Sequence, residues 1–287
     1  MRVANLDGRL VLLKDQGAVD VERASGGVFG SDPQRIYARW TEFVTWAAGA
    51  DLGEPETYDD ILLGPPTPEP GQIYAIGLNY ASHAAESGVS APAEPAVFTK
   101  FRASITGPYA RVQLPTDTVD WEAELVVVIG QRAHRVSADD AWDYVAGLTV
   151  GQDLSERTLQ LTGPAPQFSL GKSFPGFTPL GPCLVTPDEL SDRDDLEVGC
   201  ALDGEQMQKG RTGDLIFSVP ALIERLSAVV PLSPGDLIFT GTPSGVGVAR
   251  NPRRFISPGQ ELVTWVEGIG QIRNTFVVGP RHTTQIS

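Results

Sequence analysis

Polar and apolar residues alternate along Asp120-Trp121-Glu122-Ala123-Glu124-Leu125, and then give way to the unbroken apolar run Val126-Val127-Val128-Ile129, ended by Gly130. Successive side chains of an extended strand point to opposite faces, so Asp120, Glu122 and Glu124 are expected to project together. The β-branched run beyond them predicts a strand buried on both faces. Earlier in the chain, Arg2-Val3-Ala4-Asn5-Leu6 and Arg9-Leu10-Val11-Leu12-Leu13 flank Asp7-Gly8 as a hairpin. Three- and four-residue apolar spacing between Ile36 and Trp46 predicts an amphipathic helix.

Gly64-Pro65-Pro66-Thr67-Pro68-Glu69-Pro70-Gly71 is too rich in proline for helix or sheet and reads as a linker. It separates a small unit, residues 1–67, from a larger one, residues 72–280. In the larger unit, strands are expected at Gln72–Gly77, Pro95–Lys100, Ala146–Asp153 and Leu196–Leu202, and at the turn-strand pattern Pro234–Phe239. Helices are expected at Ser137–Val145, with an N-cap serine and early acids, and at Val219–Leu226, with proline in the first turn. Residues 169–182 carry so much glycine and proline that an irregular loop is expected. Pro258–Val266 and Gly268–Val277 close the unit as a β-hairpin. The fold class is α+β, mostly β.

At 287 residues, with 41% hydrophobic and 20% charged residues, the chain suits one large domain with a small appendage. A formal charge of −14 and a pI near 4.6 argue against a nucleic-acid partner, whose phosphates would be repelled. The apolar runs are strand-sized and the N-terminus lacks a signal-peptide core, so no membrane association and a cytoplasmic location are expected. Cys183 and Cys200 fit no metal spacing and are expected to be buried thiols, while His134 and His282 are expected in solvent.

Closely packed carboxylates repel and lose hydration, so the acids of the 120–124 stretch point to a hard divalent cation, with a solvated strand end as the plainer alternative. An oxygen-only site favours Mg²⁺, Mn²⁺ or Ca²⁺ over zinc. His83 and Glu86 stand three residues apart, which one helical turn brings together as an oriented general base or as a surface ion pair. Asp153 closes a strand, with Arg157 and Gln160 four and seven residues on; a shared cavity and a salt-bridged helix start explain this spacing equally. Lys172 is a candidate anion binder or electrophile, and Lys100 has no role assignable from spacing. Gly241-Thr242-Pro243-Ser244-Gly245-Val246-Gly247 fits neither a Walker loop nor a dinucleotide fingerprint. Its glycines admit an anion to backbone N–H groups, with the Thr242 hydroxyl beside them, or form a plain tight turn.

Gly77-Leu78-Asn79-Tyr80 with His83 and Glu86, Asp120 to Leu125, Asp153 with Arg157 and Gln160, Lys172-Ser173-Phe174 and Gly241-Thr242-Pro243 together resemble the fumarylacetoacetate hydrolase family, over roughly residues 72 to 278. The resemblance implies a mixed β-sandwich roll, usually a homodimer, with Mg²⁺ or Mn²⁺ held by Glu122, Glu124 and Asp153. It also implies a lid around His83 and Glu86, and substrate contacts from Arg157, Gln160, Lys172 and Thr242. Many relatives carry Asp-Thr where this chain has Pro175-Gly176, which puts the loop beside Lys172 in question. The implied activity is hydrolytic C–C cleavage of a 2,4-dioxo acid of acylpyruvate type, with His83, Glu86 and Lys172 as catalytic residues. Oxaloacetate decarboxylation, isomerisation of a related unsaturated dioxo acid, and non-catalytic binding of a 2-oxo acid are the rivals.

Overall fold

The computed structural model describes residues 1–15, 17–86, 88, 90 and 92–282. Ala123–Ile129 is a strand with every residue buried, and it lies inside an 11-stranded sheet. It pairs antiparallel with Val145–Gln152 on one side and with Leu237–Phe239 on the other. Beyond Leu237–Phe239 come Ile73–Gly77 and, at the edge, Ala96–Thr99. Beyond Val145–Gln152 come Thr178–Val185, then Arg2–Leu6, Arg9–Lys14 and Gly17–Asp20. A second sheet of five strands runs Glu205–Arg211, Glu197–Leu202, Glu261–Val266, Gly270–Val278 and Arg111–Leu114. The fold is thus mostly β with mixed sheets, as the sequence pattern indicates.

Alternation along the central strand divides the core in two. Ala123, Leu125, Val127 and Ile129 face a cluster shared with the second sheet, including Val198, Leu202 and Ile272, and with Leu222, Ile223 and Leu226 of the helix Val219–Val229. Val126 and Val128 face the opposite cluster, with Leu10, Leu12, Leu180 and Leu184 of the same sheet. That second face is covered by the first unit: Phe29, Tyr37, Trp40 and Phe43 pack on it, their rings in contact at 5.5–5.6 Å. The helix Trp40–Gly49 therefore shields the sheet that carries the acids, on the face that alternation along Ala123–Ile129 gives to Glu124. Just past the strand, position 130 is glycine because a Cβ there would stand 2.8 Å from Trp40 Cδ1 and 2.9 Å from the Ala146 nitrogen.

The strand Arg2–Leu6 pairs antiparallel with Thr178–Val185, so hydrogen bonds run directly from the first unit into the sheet of the second. The proline-rich stretch between the units is packed down: Leu63–Gly64 pairs with Arg2–Leu6, and the Tyr37 hydroxyl bonds Thr67 Oγ1 (2.9 Å) and the Pro66 carbonyl (3.1 Å). Thr178–Val185 is an eight-residue buried strand where an irregular loop is expected. A register shift opposite Leu148/Val150 accommodates its prolines, and burial of Leu180, Cys183 and Leu184 outweighs their poor strand propensity. Phe168–Gly171 in the same stretch is a short helix, and Ala138–Tyr144 is a 3-10 helix capped by Ser137. Cys183 and Cys200 are buried free thiols, and His134 and His282 are exposed, all as expected.

Phe43 is fully buried between the helix and the sheet. Phe43→Ala is expected to lower the unfolding free energy by about 3–5 kcal/mol, read from urea denaturation; a loss below about 1 kcal/mol would show that the first unit is not a structural cover.

Candidate active site

On the N-terminal side of its apolar run the central strand is paired only with Val145–Gln152, and side chains take the place of the second neighbour. The Glu122 N–H donates to Gln152 Oε1 and the Ala123 N–H to Gln208 Oε1, both at 2.9 Å. The Asp153 N–H donates to the Glu122 carbonyl at 3.0 Å, which seats the end of one strand beside the end of the next. Glu122, Glu124 and Asp153 are thereby brought together, one carboxylate oxygen of each lying within 4.8 Å of the others, all three buried. Glu124 Oε2 accepts the Gly241 N–H at 2.8 Å. Gly241 lies in the left-handed region at φ +103°, and a Cβ there would stand 2.7 Å from Asn79 Cβ, so only glycine brings its amide to this carboxylate.

Asp120 does not join this group, contrary to simple alternation. The strand breaks at Trp121–Glu122, and Asp120 instead pairs with Ser155 in a separate two-residue bridge. Its Oδ1 accepts the Trp121 and Gly247 N–H groups (2.8 and 2.7 Å), and its Oδ2 accepts the Val248 N–H at 2.9 Å and Arg157 Nε at 2.8 Å. Both oxygens are thus saturated, and Asp120 acts as a brace for Arg157.

Three cations face the acids. Arg157, at the start of the short helix Arg157–Gln160, places Nη1 2.7 Å from Glu122 Oε1 and 2.9 Å from Gln160 Oε1. Lys172 Nζ lies 2.7 Å from both Glu122 Oε2 and Asp153 Oδ2, and 2.8 Å from Ser155 Oγ. Lys100 Nζ, wholly enclosed, is 2.6 Å from Asp153 Oδ1 and also donates to the Lys172 carbonyl. Burial alone would push the Glu122 carboxyl up, but Lys172 and Arg157 outweigh it and hold the group far below the usual carboxylate range. For Glu124, burial and the charges of Asp153 and Glu122 act together and push the carboxyl well above its ordinary value. Burial holds the Lys100 ammonium down, whereas at Lys172 the charges of Asp153 and Glu122 overcome burial and hold it up.

His83 and Glu86 share the helix Ala81–Glu86, with Nδ1 2.7 Å from Glu86 Oε1. The other Glu86 oxygen accepts the Gly245 N–H at 2.8 Å, which ties this helix to the glycine-rich loop. Thr242 lies in the same loop; its hydroxyl donates to the Ala123 carbonyl (2.9 Å) and accepts from Gln208 Nε2 (2.8 Å), so its hydrogen is spent inside the protein. The glycine-loop amides do hold carboxylates, those of Asp120, Glu124 and Glu86. His83, Glu86, Glu122, Glu124, Arg157, Gln160, Lys172 and Thr242 all line one cavity of about 390 Å³. Asp153 stands behind Lys172 and is not among the lining residues.

The acid cluster fits a hard divalent cation. Its donors are all carboxylate oxygens, and among the described residues Glu124 has no ion-pair partner although it is buried beside two other carboxylates. The C-terminal domain of fumarylacetoacetate (FAA) hydrolases matches residues 72–277. The chain belongs to the fumarylacetoacetate hydrolase family. This family member is 44% identical over 214 residues to oxaloacetate tautomerase FAHD2A, mitochondrial, of Bos taurus, a match covering 74% of this chain and 68% of that protein. It is similar in structure to a Mycobacterium smegmatis protein named as an HpcE candidate, with TM-score 0.94 and 55% identity over 97% of this chain and 100% of the other. Maleylpyruvate hydrolase from Sphingobium sp. SYK-6, solved with manganese(II) and pyruvate, aligns with TM-score 0.76 and 26% identity over 97% of this chain and 100% of its own.

Spacing alone missed Lys100, Gln152 and Gln208. Gln152 carried a signal, a polar residue closing a strand otherwise buried throughout; Lys100 and Gln208 become meaningful only when distant strands meet. Lys100→Met removes one partner of an enclosed pair and is expected to cost about 3–5 kcal/mol of stability by urea denaturation; no measurable loss would remove Lys100 from the site's support. Mn²⁺ at about a hundredfold over its Kd is expected to stabilise the protein by about 2.7 kcal/mol, and Glu124→Ala to abolish that gain in a thermal melt.

Proposed function

We propose that this chain is a divalent-metal-dependent enzyme that interconverts a small 2-oxo acid and its enol by moving a proton at the carbon next to the 2-oxo group. One observation carries the reading: the His83–Glu86 pair lines the same cavity as Glu122 and Glu124, two of the three acids of the clustered oxygen-donor site. The relatives named oxaloacetate tautomerases, 41–44% identical, support the same class of reaction.

With Glu86 ionised, it accepts a hydrogen bond from Nδ1–H of His83, which leaves Nε2 as the basic nitrogen. His83 then takes the proton from C3; the C–H electron pair becomes the C2–C3 double bond, and the 2-oxo oxygen gains the charge. Return of that proton from the His83 imidazolium to the 2-oxo oxygen completes the enol and regenerates the base, and the reverse sequence restores the keto acid. Mg²⁺ or Mn²⁺ on Glu122, Glu124 and Asp153, when bound, supplies Lewis-acid stabilisation of that developing charge. Lys172 and Arg157 hold Glu122 and Asp153 in place, so the charge develops in a field already organised by the protein.

Hydrolysis of a C–C bond in a 2,4-dioxo acid is the second reading, supported by the likeness to a maleylpyruvate hydrolase solved with manganese and pyruvate. Here His83 would take a proton from water, and the hydroxide would add to the distal carbonyl, expelling the same enolate.

The two readings separate in one assay. Metal-loaded protein is mixed with oxaloacetate and with acylpyruvates while the enol absorbance, CO₂, pyruvate and carboxylic acid are followed. Faster keto–enol exchange without CO₂ or cleavage products is expected; release of pyruvate plus a carboxylic acid would make the chain a hydrolase, and CO₂ a decarboxylase. His83→Ala is expected to lower turnover by about 10²- to 10⁴-fold with Mn²⁺ affinity retained, and undiminished turnover would exclude this base.

A further inference from the structure

The cavity lining is chemically divided. Besides the acids and the His83–Glu86 pair it includes four large apolar side chains, Leu78, Phe98, Leu161 and Phe168. Phe98 and Phe168 meet edge to face at 5.6 Å, and the Phe98 ring lies 5.1 Å from Lys172 Nζ, so the aromatic pair borders the charged groups. Leu161 is 53% exposed at the cavity, an apolar side chain that the protein itself does not cover. Leu78 sits in the left-handed region at φ +57°, where a leucine is strained. Its conformation is imposed by the next residue: Asn79 bonds the Phe217 carbonyl, the Thr240 carbonyl and the Phe217 N–H at 2.7–3.0 Å. That strain holds an apolar side chain on the cavity wall.

The two basic side chains of the lining, Arg157 and Lys172, are already paired. Arg157 is held by Asp120, Glu122 and Gln160, and the ammonium of Lys172 by Glu122, Asp153 and Ser155. A ligand carboxylate placed against the aromatic wall would lose hydration without gaining a cation, whereas a hydrocarbon chain there would cover surface that water now wets.

We propose that this wall is a hydrocarbon subsite, and that the substrate is a 2-oxo acid whose far end is an alkyl or aryl group in place of the second carboxylate of oxaloacetate. The inference rests on the 2-oxo acid reading above and specifies the substrate class for the same site. Leu161, Phe98, Phe168 and Leu78 are then the specificity-determining residues.

The test is calorimetric and needs no turnover. Mn²⁺-loaded protein is titrated with oxamate, N-propyl oxamate and N-oxalylglycine, which share one head group; the last two have tails of similar length and differ in tail charge. N-propyl oxamate is expected to bind at least about tenfold tighter than N-oxalylglycine. Leu161→Arg, a change at an exposed position, is expected to reduce that ratio about tenfold or reverse it, and Phe98→Ala to reduce it as well. Equal or tighter binding of N-oxalylglycine by the unmodified protein, with oxamate bound, would overturn the subsite and leave the 2-oxo acid reading intact. No binding of oxamate would overturn that reading and the subsite with it.

Discussion

Four carboxylates are buried at one end of the central sheet, those of Asp120, Glu122, Glu124 and Asp153, and their mutual repulsion is the constraint around which the structure is arranged. Such a group survives folding only when cations and N–H donors are placed around it with good geometry. Arg157, Lys172 and Lys100 supply three positive charges, and the Gly241, Gly247 and Val248 amides supply donors. Distribution is uneven: Glu122 is held by Arg157 and Lys172 and Asp153 by Lys100 and Lys172, while Glu124 has a single amide and a carboxyl pushed well upward by burial and by its two acidic neighbours. A divalent cation answers that imbalance, which is why the donor set reads as a metal site.

The same constraint explains the roles of distant segments. Side-chain amides of Gln152 and Gln208 supply acceptors where the acidic strand leaves the sheet, so the Glu122 and Ala123 N–H groups are held where the partner strand Leu237–Phe239 does not reach. Gln208 also holds the Thr242 hydroxyl and the Pro243 carbonyl, which couples the second sheet to the glycine-rich loop. Among the described residues the first unit contributes no lining residue to this cavity, yet Trp40 and Phe43 cover Val126 and Val128 on the face shared with Glu124. A rigid, two-sided apolar strand is what allows its acidic end to be positioned to within a hydrogen-bond length.

Alternation and local spacing made much of this legible. The 120–130 stretch announced a buried strand with acids at its mouth, His83 and Glu86 announced a one-turn pair, and the hairpins and the helix beginning at Val219 followed from turn and cap residues. What stayed hidden depends on contacts between segments far apart. Asp120 leaves the expected face because the backbone breaks at Trp121–Glu122, an event set by Gln152 and Gln208 from other strands. Thr178–Val185 is a strand despite Pro179 and Pro182 because burial between neighbours outweighs propensity, and Lys100 acquires a role only when the sheet edge folds over Asp153.

Enol formation ties together the reactions that the site supports. Tautomerisation, C–C hydrolysis and decarboxylation of 2-oxo acids all place negative charge on the 2-oxo oxygen, so one cation site and one base serve each of them. A charged half-cavity built for that shared step carries little information about which acid arrives. Discrimination between substrates must then come from groups that touch the remainder of the molecule, by filling apolar space or by leaving a charge unpaired. In this chain the apolar residues of the lining, Leu78, Phe98, Leu161 and Phe168, form the subsite proposed for that remainder. The residues that organise the chemistry are therefore separable from those that choose the substrate, and a change of far-end specificity needs no change in the carboxylates, the lysines or the His83–Glu86 pair.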